Sequence, residues 1–142
     1  MTYATLNDMT SRFGEQDLIL LTRRQSSPIG QIDLTVLGQA LDDATSEINT
    51  YLSGRYQLPL STQPKSLTRI CCDLARYFLS GNNAPEHIET RYKDAVSFLR
   101  AVNKGDISLG PDTTGNKAEK NDVAIIESAG SVFARSKSTG FL

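Results

Sequence analysis

The residue types that usually carry out chemistry are few in this chain of 142 residues, and their spacing does not suit catalysis. His87 is the one histidine, so a two-histidine metal motif cannot form, and a Ser-His-Asp triad would depend on this side chain alone. We expect it on a solvent-facing helical turn. Cys71 and Cys72 are adjacent, and neighbouring side chains on a helix point about 100° apart, which makes a shared ligand difficult. We expect two reduced cysteines, with Cys71 in the core and Cys72 at its edge.

The clusters of charged residues are explained more simply as solvated helix surfaces and helix caps than as catalytic or ligand-binding sites. Asp42, Asp43 and Glu47 form an acidic group on one predicted helix, and we interpret it as a solvated face, because no apolar pocket that would raise a pKa is evident beside it. Glycine-rich phosphate loops do not occur. The pair Arg23-Arg24 is the densest basic spot, and a charge cap on a helix end explains it better than a phosphate site. The sequence therefore predicts no enzymatic activity, no metal ion and no cofactor.

Composition indicates one ordinary globular domain. Lys and Arg total 15 against 16 acidic residues, for a net charge of −1, which is not the excess of cations typical of nucleic-acid binding, although a local basic patch remains possible. The sequence contains no apolar run close to the roughly 20 residues that cross a bilayer. Its first residues lack the basic start and apolar stretch of a secretory signal. We expect a protein of the cytoplasm that does not bind membranes.

The elements that would position any site are helices, and the predicted fold class is mainly α, a small bundle of about five helices. The pattern predicts helices from about Leu6 to Phe13, from Glu15 to Thr22, from a cap at Asp33 to Gly54, from Pro64 to Gly81, and from Pro85 to Lys104. The third has the cleanest apolar stripe, with steps of three and four residues: Leu37, Ala40, Leu41, Ala44, Ile48, Tyr51 and Leu52. We expect the third and fifth helices to be central.

Residues 110–142 differ in character from the helical body, residues 1–109. Residues 110–121 are polar and rich in turn formers, which predicts a flexible linker. Residues 123–126 and 131–135 look strand-like and could pair as a short β-hairpin. We therefore expect an extended C-terminal arm. Its apolar residues would bind a neighbouring subunit or fold back on their own core, and the sequence leaves both open; these residues are Ile125, Ile126, Val132, Phe133 and Phe141.

Several stretches of the chain together carry a family resemblance. They read YATLND at residues 3–8, RFGE at 12–15, LILLT at 18–22, ATSEINTYLSGRY at 44–56 followed by LPL at 58–60, TRICCDLAR at 68–76, RYKDAVSFL at 91–99 and KGDISL at 104–109. In this order and spacing they resemble the Mu-like phage neck proteins. The resemblance extends over about residues 1–110, and more loosely over the ending, residues 132–141.

The resemblance implies a fold and a function. Such proteins are similar in fold to the head–tail connector proteins of long-tailed phages, whose helical subunits form a ring beneath the portal. The implied partners are the portal protein, a tail-completion or stopper protein, and further copies of the chain in a homo-oligomeric ring. DNA would pass through this ring without sequence-specific binding. The implied location is the host cytoplasm during assembly and then the neck of the virion, and the free subunit could be a monomer.

A small helical DNA-binding or regulatory module is the alternative function, with the second and third helices as a helix-turn-helix. The loop of about ten residues between these helices is long for that motif, and the acidic face of the third helix would repel phosphate. A small enzyme of unfamiliar type is opposed by the missing pair of nucleophile and base.

Overall fold

The computed structural model describes residues 1–110, which contain the five predicted helices. They are α1 (Leu6–Phe13), α2 (Glu15–Thr22), α3 (Leu34–Leu52), α4 (Lys65–Ser80) and α5 (Glu86–Lys104), and a short 3₁₀ helix at Gly81–Asn83 follows α4. The mainly α fold class is confirmed. The predicted β-hairpin lies outside the described residues. Of the helices in residues 1–110, none is both long and apolar enough to cross a membrane.

The helices begin and end where local side chains satisfy the backbone groups. Thr5 and Asp8 form a capping box at the start of α1, since the Thr5 hydroxyl accepts from the Asp8 amide and the Asp8 carboxylate accepts from the Thr5 amide. Asp33 caps α3 by accepting hydrogen bonds from two first-turn amides. Gly105, at φ +90°, ends α5 in the left-handed conformation that favours glycine.

Helix α4 is the centre of the molecule. It packs against α3 and α5, and on another side it contacts both α1 and α2. The expectation that α3 and α5 are central was therefore wrong. The reason is that α1 and α2 cover a face of α4 that lies outside the apolar stripe of its sequence. The other four helices therefore enclose α4.

Cys72 lies fully in the core and not at its edge, so that prediction was also wrong. Both thiols are inaccessible to solvent. Cys72 lies on the side of α4 that α1 approaches, where Met9 is also completely buried. Burial raises the pKa of Cys71 to about 11 and that of Cys72 to about 12. The two cysteines therefore behave as small core side chains.

Candidate functional site

The residues that could have carried out chemistry are dispersed. His87 is exposed at the start of α5, as predicted. The raised pKa values of Cys71 and Cys72 leave little thiolate at neutral pH, so neither is an activated nucleophile. Across residues 1–110, His, Cys, Asp and Glu side chains do not gather in groups of three that could hold a metal ion.

The acidic group on α3 is only partly a solvated face. Asp42 and Asp43 are exposed, in agreement with the prediction. Glu47 is half-buried beside Tyr92 of α5, and this burial raises the pKa of its carboxyl, although a hydrogen bond with Tyr92 opposes the rise. The prediction of a solvated Glu47 was wrong, because the packing of α5 against α3 decides its environment.

A charged cluster that the sequence analysis did not single out links α4 to α5. Asp73 of α4 is buried, with Arg69 at 3.5 Å and Arg91 at 3.9 Å. Burial raises the pKa of Asp73, and the charges of Arg69, Arg91 and Arg12 oppose that rise. The spacing of Arg69 and Asp73, four residues apart on a helix, was the available signal. Because the cluster joins two helices of the body, we interpret it as structural.

Within the basic pair after α2, Arg24 serves as the predicted helix cap. The Arg24 guanidinium donates to the carbonyl oxygens of Leu21 at 3.0 Å and Arg23 at 2.8 Å. Both oxygens lie at the end of α2, where carbonyl groups lack partners inside the helix. The backbone thus positions the cationic group of Arg24.

The α2–α3 loop (residues 23–33) presents an apolar side chain to solvent. Ile29 is 97% exposed. Hydrogen bonds fix the base of the loop: the Asp33 amide donates to the Thr22 hydroxyl at 2.9 Å, the Ser27 hydroxyl to the Asp33 carboxylate at 2.6 Å, and the Arg24 amide to Ser27 at 2.8 Å. These bonds hold the base of the loop, and Ile29 lies in the segment between Ser27 and Asp33. The loop is also longer than the three to four residues of a helix-turn-helix turn, which opposes the DNA-binding alternative.

A groove lies elsewhere on the body, and we call it the N-terminal groove. Its volume is about 290 Å³, and it is lined by Met1, Thr2, Tyr3, Thr45, Asn49, Leu58, Pro59, Leu60 and Gln63. Tyr3 organises it: its amide donates to the Thr45 hydroxyl at 3.2 Å, its phenol donates to Asn49, and its carbonyl accepts from the Gln63 amide. Three distant segments of the chain therefore meet around one aromatic residue, and the groove combines apolar walls with amide and hydroxyl groups.

The sequence analysis missed both surfaces. In the α2–α3 loop the available signal was Ile29 between the turn formers Pro28 and Gly30. The partner-binding residues predicted in the arm, Ile125, Ile126, Val132, Phe133 and Phe141, lie outside the described residues, so that assignment stays a prediction.

Comparison with known proteins identifies the family. The family model described as "Bacteriophage Mu, Gp36" matches residues 3–128. The chain is 44% identical over 111 residues to the Mu-like prophage FluMu protein gp36 of Haemophilus influenzae, covering 78% of this chain and 79% of that protein. It is 37% identical over 143 residues to Gene product J of Escherichia phage Mu, covering 100% of both. The chain belongs to this family. The predicted resemblance to Mu-like phage proteins is confirmed, and the matched region of the Mu Gp36 family includes the whole α2–α3 loop.

Proposed function

We propose that the protein is a structural, non-enzymatic subunit of the head–tail connector, or neck, of a tailed phage. It assembles into a ring that joins the portal vertex of the head to the tail. The observation that carries the proposal is membership of the Mu Gp36 family across residues 3–128. The ordered stretches that resemble phage neck proteins lie within the helical body described above.

The geometry of the body supports an assembly role. A ring subunit needs a folded body with two different lateral surfaces, since a head-to-tail contact joins unlike faces of identical chains. The body offers two such surfaces, the projecting α2–α3 loop and the N-terminal groove. Both carry an apolar component together with hydrogen-bonding groups, which is the composition of protein contact surfaces.

The proposed partners are the portal protein on one side and a tail-completion or stopper protein on the other. The ring forms on the portal, which holds the subunits side by side and raises their effective concentration, so a weak contact between free subunits is sufficient. DNA passes through the ring without sequence-specific contacts. The protein is then found in the host cytoplasm during assembly and in the neck of the finished virion.

The proposal is tested by deleting the gene from the phage or prophage that encodes this chain and supplying the full chain from a plasmid. Without the protein we expect filled heads and separate tails to accumulate, as seen by electron microscopy, and the plasmid copy should restore joined particles. Gold-labelled antibody should mark the neck. Normal particles without the protein, or label confined to the tail tip or the head surface, would contradict the proposal.

A matched control separates assembly from catalysis. His87→Ala removes the one histidine from an exposed position, and we expect it to restore tail joining as well as the unaltered chain does. A folded His87→Ala protein that fails to restore joining would show that this side chain has a role beyond structure.

A further inference from the structure

We propose that Ile29 of one copy of this chain inserts into the N-terminal groove of the next copy, so that neighbouring subunits make a head-to-tail contact. The inference rests on the proposed function, because it names the contact that would build the ring.

The α2–α3 loop has the properties of an inserting element. Ile29 is 97% exposed and therefore makes almost no contact with its own chain. The two ends of its segment are held together by the hydrogen bonds among Thr22, Ser27 and Asp33. Because the base of the loop is already held, docking would cost little additional ordering.

The N-terminal groove has the properties of a receiving site. Its volume of about 290 Å³ is larger than an isoleucine side chain, and the side chains of Leu58, Leu60 and Tyr3 provide apolar walls. Asn49, on the adjoining face of α3, accepts from Tyr3 through Oδ1, and its side-chain amide N–H groups provide donors for the backbone of an inserted loop. The groove thus suits a short loop carrying one aliphatic side chain.

In the folded subunit Ile29 does not occupy the groove of its own chain, because it is 97% exposed and is not among the residues that line the groove. The loop joins α3 at Leu34, whereas Thr45 and Asn49 lie eleven and fifteen residues further along that helix. At 1.5 Å per residue this separation is about 16–22 Å. A loop from a second copy can therefore occupy this groove.

The charges beside the two surfaces are complementary. Arg23 and Arg24 are exposed at the base of the loop. Asp42 is exposed one turn before Thr45 on the groove face of α3. Opposite charges at the edge of an apolar contact select partner and orientation. This favours a second copy over a partner with a basic rim.

Disulfide trapping tests the contact in the full-length protein. The double variant Ile29→Cys/Leu60→Cys, held at high concentration with a mild oxidant, should form a ladder of dimers, trimers and larger species on non-reducing gels. A disulfide within one chain would leave the protein as a monomer on the gel, so only bonds between chains can produce the ladder. The native Cys71 and Cys72 are buried and should not contribute.

Matched variants decide the outcome. Leu20→Cys/Leu60→Cys places the first thiol on α2, on another exposed leucine outside the loop, and should give no ladder. Ile29→Asp, with native cysteines, should weaken self-association in analytical ultracentrifugation by about tenfold or more, the loss expected for a central anchor. The exposed position of Ile29 keeps this variant folded. Absence of the ladder, a dimer band alone, or an equal ladder from the Leu20→Cys control would overturn the proposal.

Disulfide trapping from Leu60→Cys would also detect a different occupant of the groove. If Leu60→Cys is trapped instead by a cysteine introduced at Phe133, the groove belongs to the C-terminal segment and the proposal is wrong. A failed trapping experiment can also be told apart from a failure of the proposed connector function. Heads without tails in the deletion strain, combined with no ladder, leave the connector role in place, whereas a ladder combined with normal virions leaves the contact and removes the connector role.

Discussion

Leu99→Ala is the sharpest test of the packing around α4 and α5. Leu99 is 0% exposed and belongs to the core cluster that joins α3, α4 and α5. The substitution removes three carbon atoms, which at about 0.8 kcal/mol each accounts for about 2.4 kcal/mol of lost transfer free energy. The surrounding helices can only partly close the space, so the total loss should be about 2–5 kcal/mol.

This loss is large compared with the stability of the whole body. A domain of this size unfolds with a free energy of about 5–15 kcal/mol, so Leu99→Ala should remove a sizeable share of it. At roughly 4–8 °C per kcal/mol, the melting temperature should fall by about 8–40 °C. Chemical denaturation followed by far-ultraviolet circular dichroism measures the free energy, and the same signal on heating gives the melting temperature.

Two further leucines make the experiment decisive. Leu41→Ala, at another buried position of the same cluster, should cost a similar amount. Leu20→Ala makes the identical chemical change at a position that is 63% exposed, and it should alter stability by less than about 0.5 kcal/mol. Losses below about 0.5 kcal/mol at both Leu99 and Leu41, or an equal loss at Leu20, would refute the assignment of the core.

The other predictions concern caps, charges and the domain boundary. Asp33→Ala should lower the melting temperature at neutral pH, because it removes the cap of α3. Hydrogen bonds lower the pKa of Asp33 in the folded state, so the difference in melting temperature between variant and unaltered protein should shrink as acid protonates this carboxyl. Glu47→Gln should raise the melting temperature at neutral pH, since the folded pKa of Glu47 is raised, and this gain should vanish in acid, where both states are protonated. Gly105→Ala should cost about 1–3 kcal/mol in denaturation, because φ is +90°, a conformation that residues with a Cβ rarely adopt; the Arg55 guanidinium, 2.7 Å from the new Cβ, can move aside and should add little. Truncation after Gly110 should leave the helical circular dichroism and the melting temperature nearly unchanged; loss of the fold would refute the division into body and arm.

The helices could be predicted because their signals are local. The capping box of Thr5 and Asp8 places the start of α1, and the glycine after Lys104 places the end of α5. The stripe on α3 lies on one face of a single helix, so periodicity finds it without knowledge of the partner. Each of these features is contained within a few helical turns.

The errors concern residues whose environment depends on distant packing. Cys72 is buried because α1 covers it, and Glu47 is half-buried because α5 places Tyr92 beside it. The N-terminal groove combines residues near positions 3, 45 and 60, and none of these segments is distinctive alone. Tyr3 could have been found only by knowing that its backbone and phenol hydrogen-bond to two distant segments, α3 and the region of Gln63.

A head-to-tail contact of the proposed kind must be weak in the free protein for assembly to be controlled. Unlike a two-fold contact, it leaves one unused loop and one unused groove at the two ends of every row of subunits. The row grows into an open filament unless the rotation between successive subunits closes it into a ring. One aliphatic anchor with a few rim charges forms a small interface, which is typical of transient association. A portal that binds the subunits in a circle then supplies both the local concentration and the number of copies. The small size of the loop and of the groove is therefore what a subunit needs if its ring is to form on the portal and not in solution.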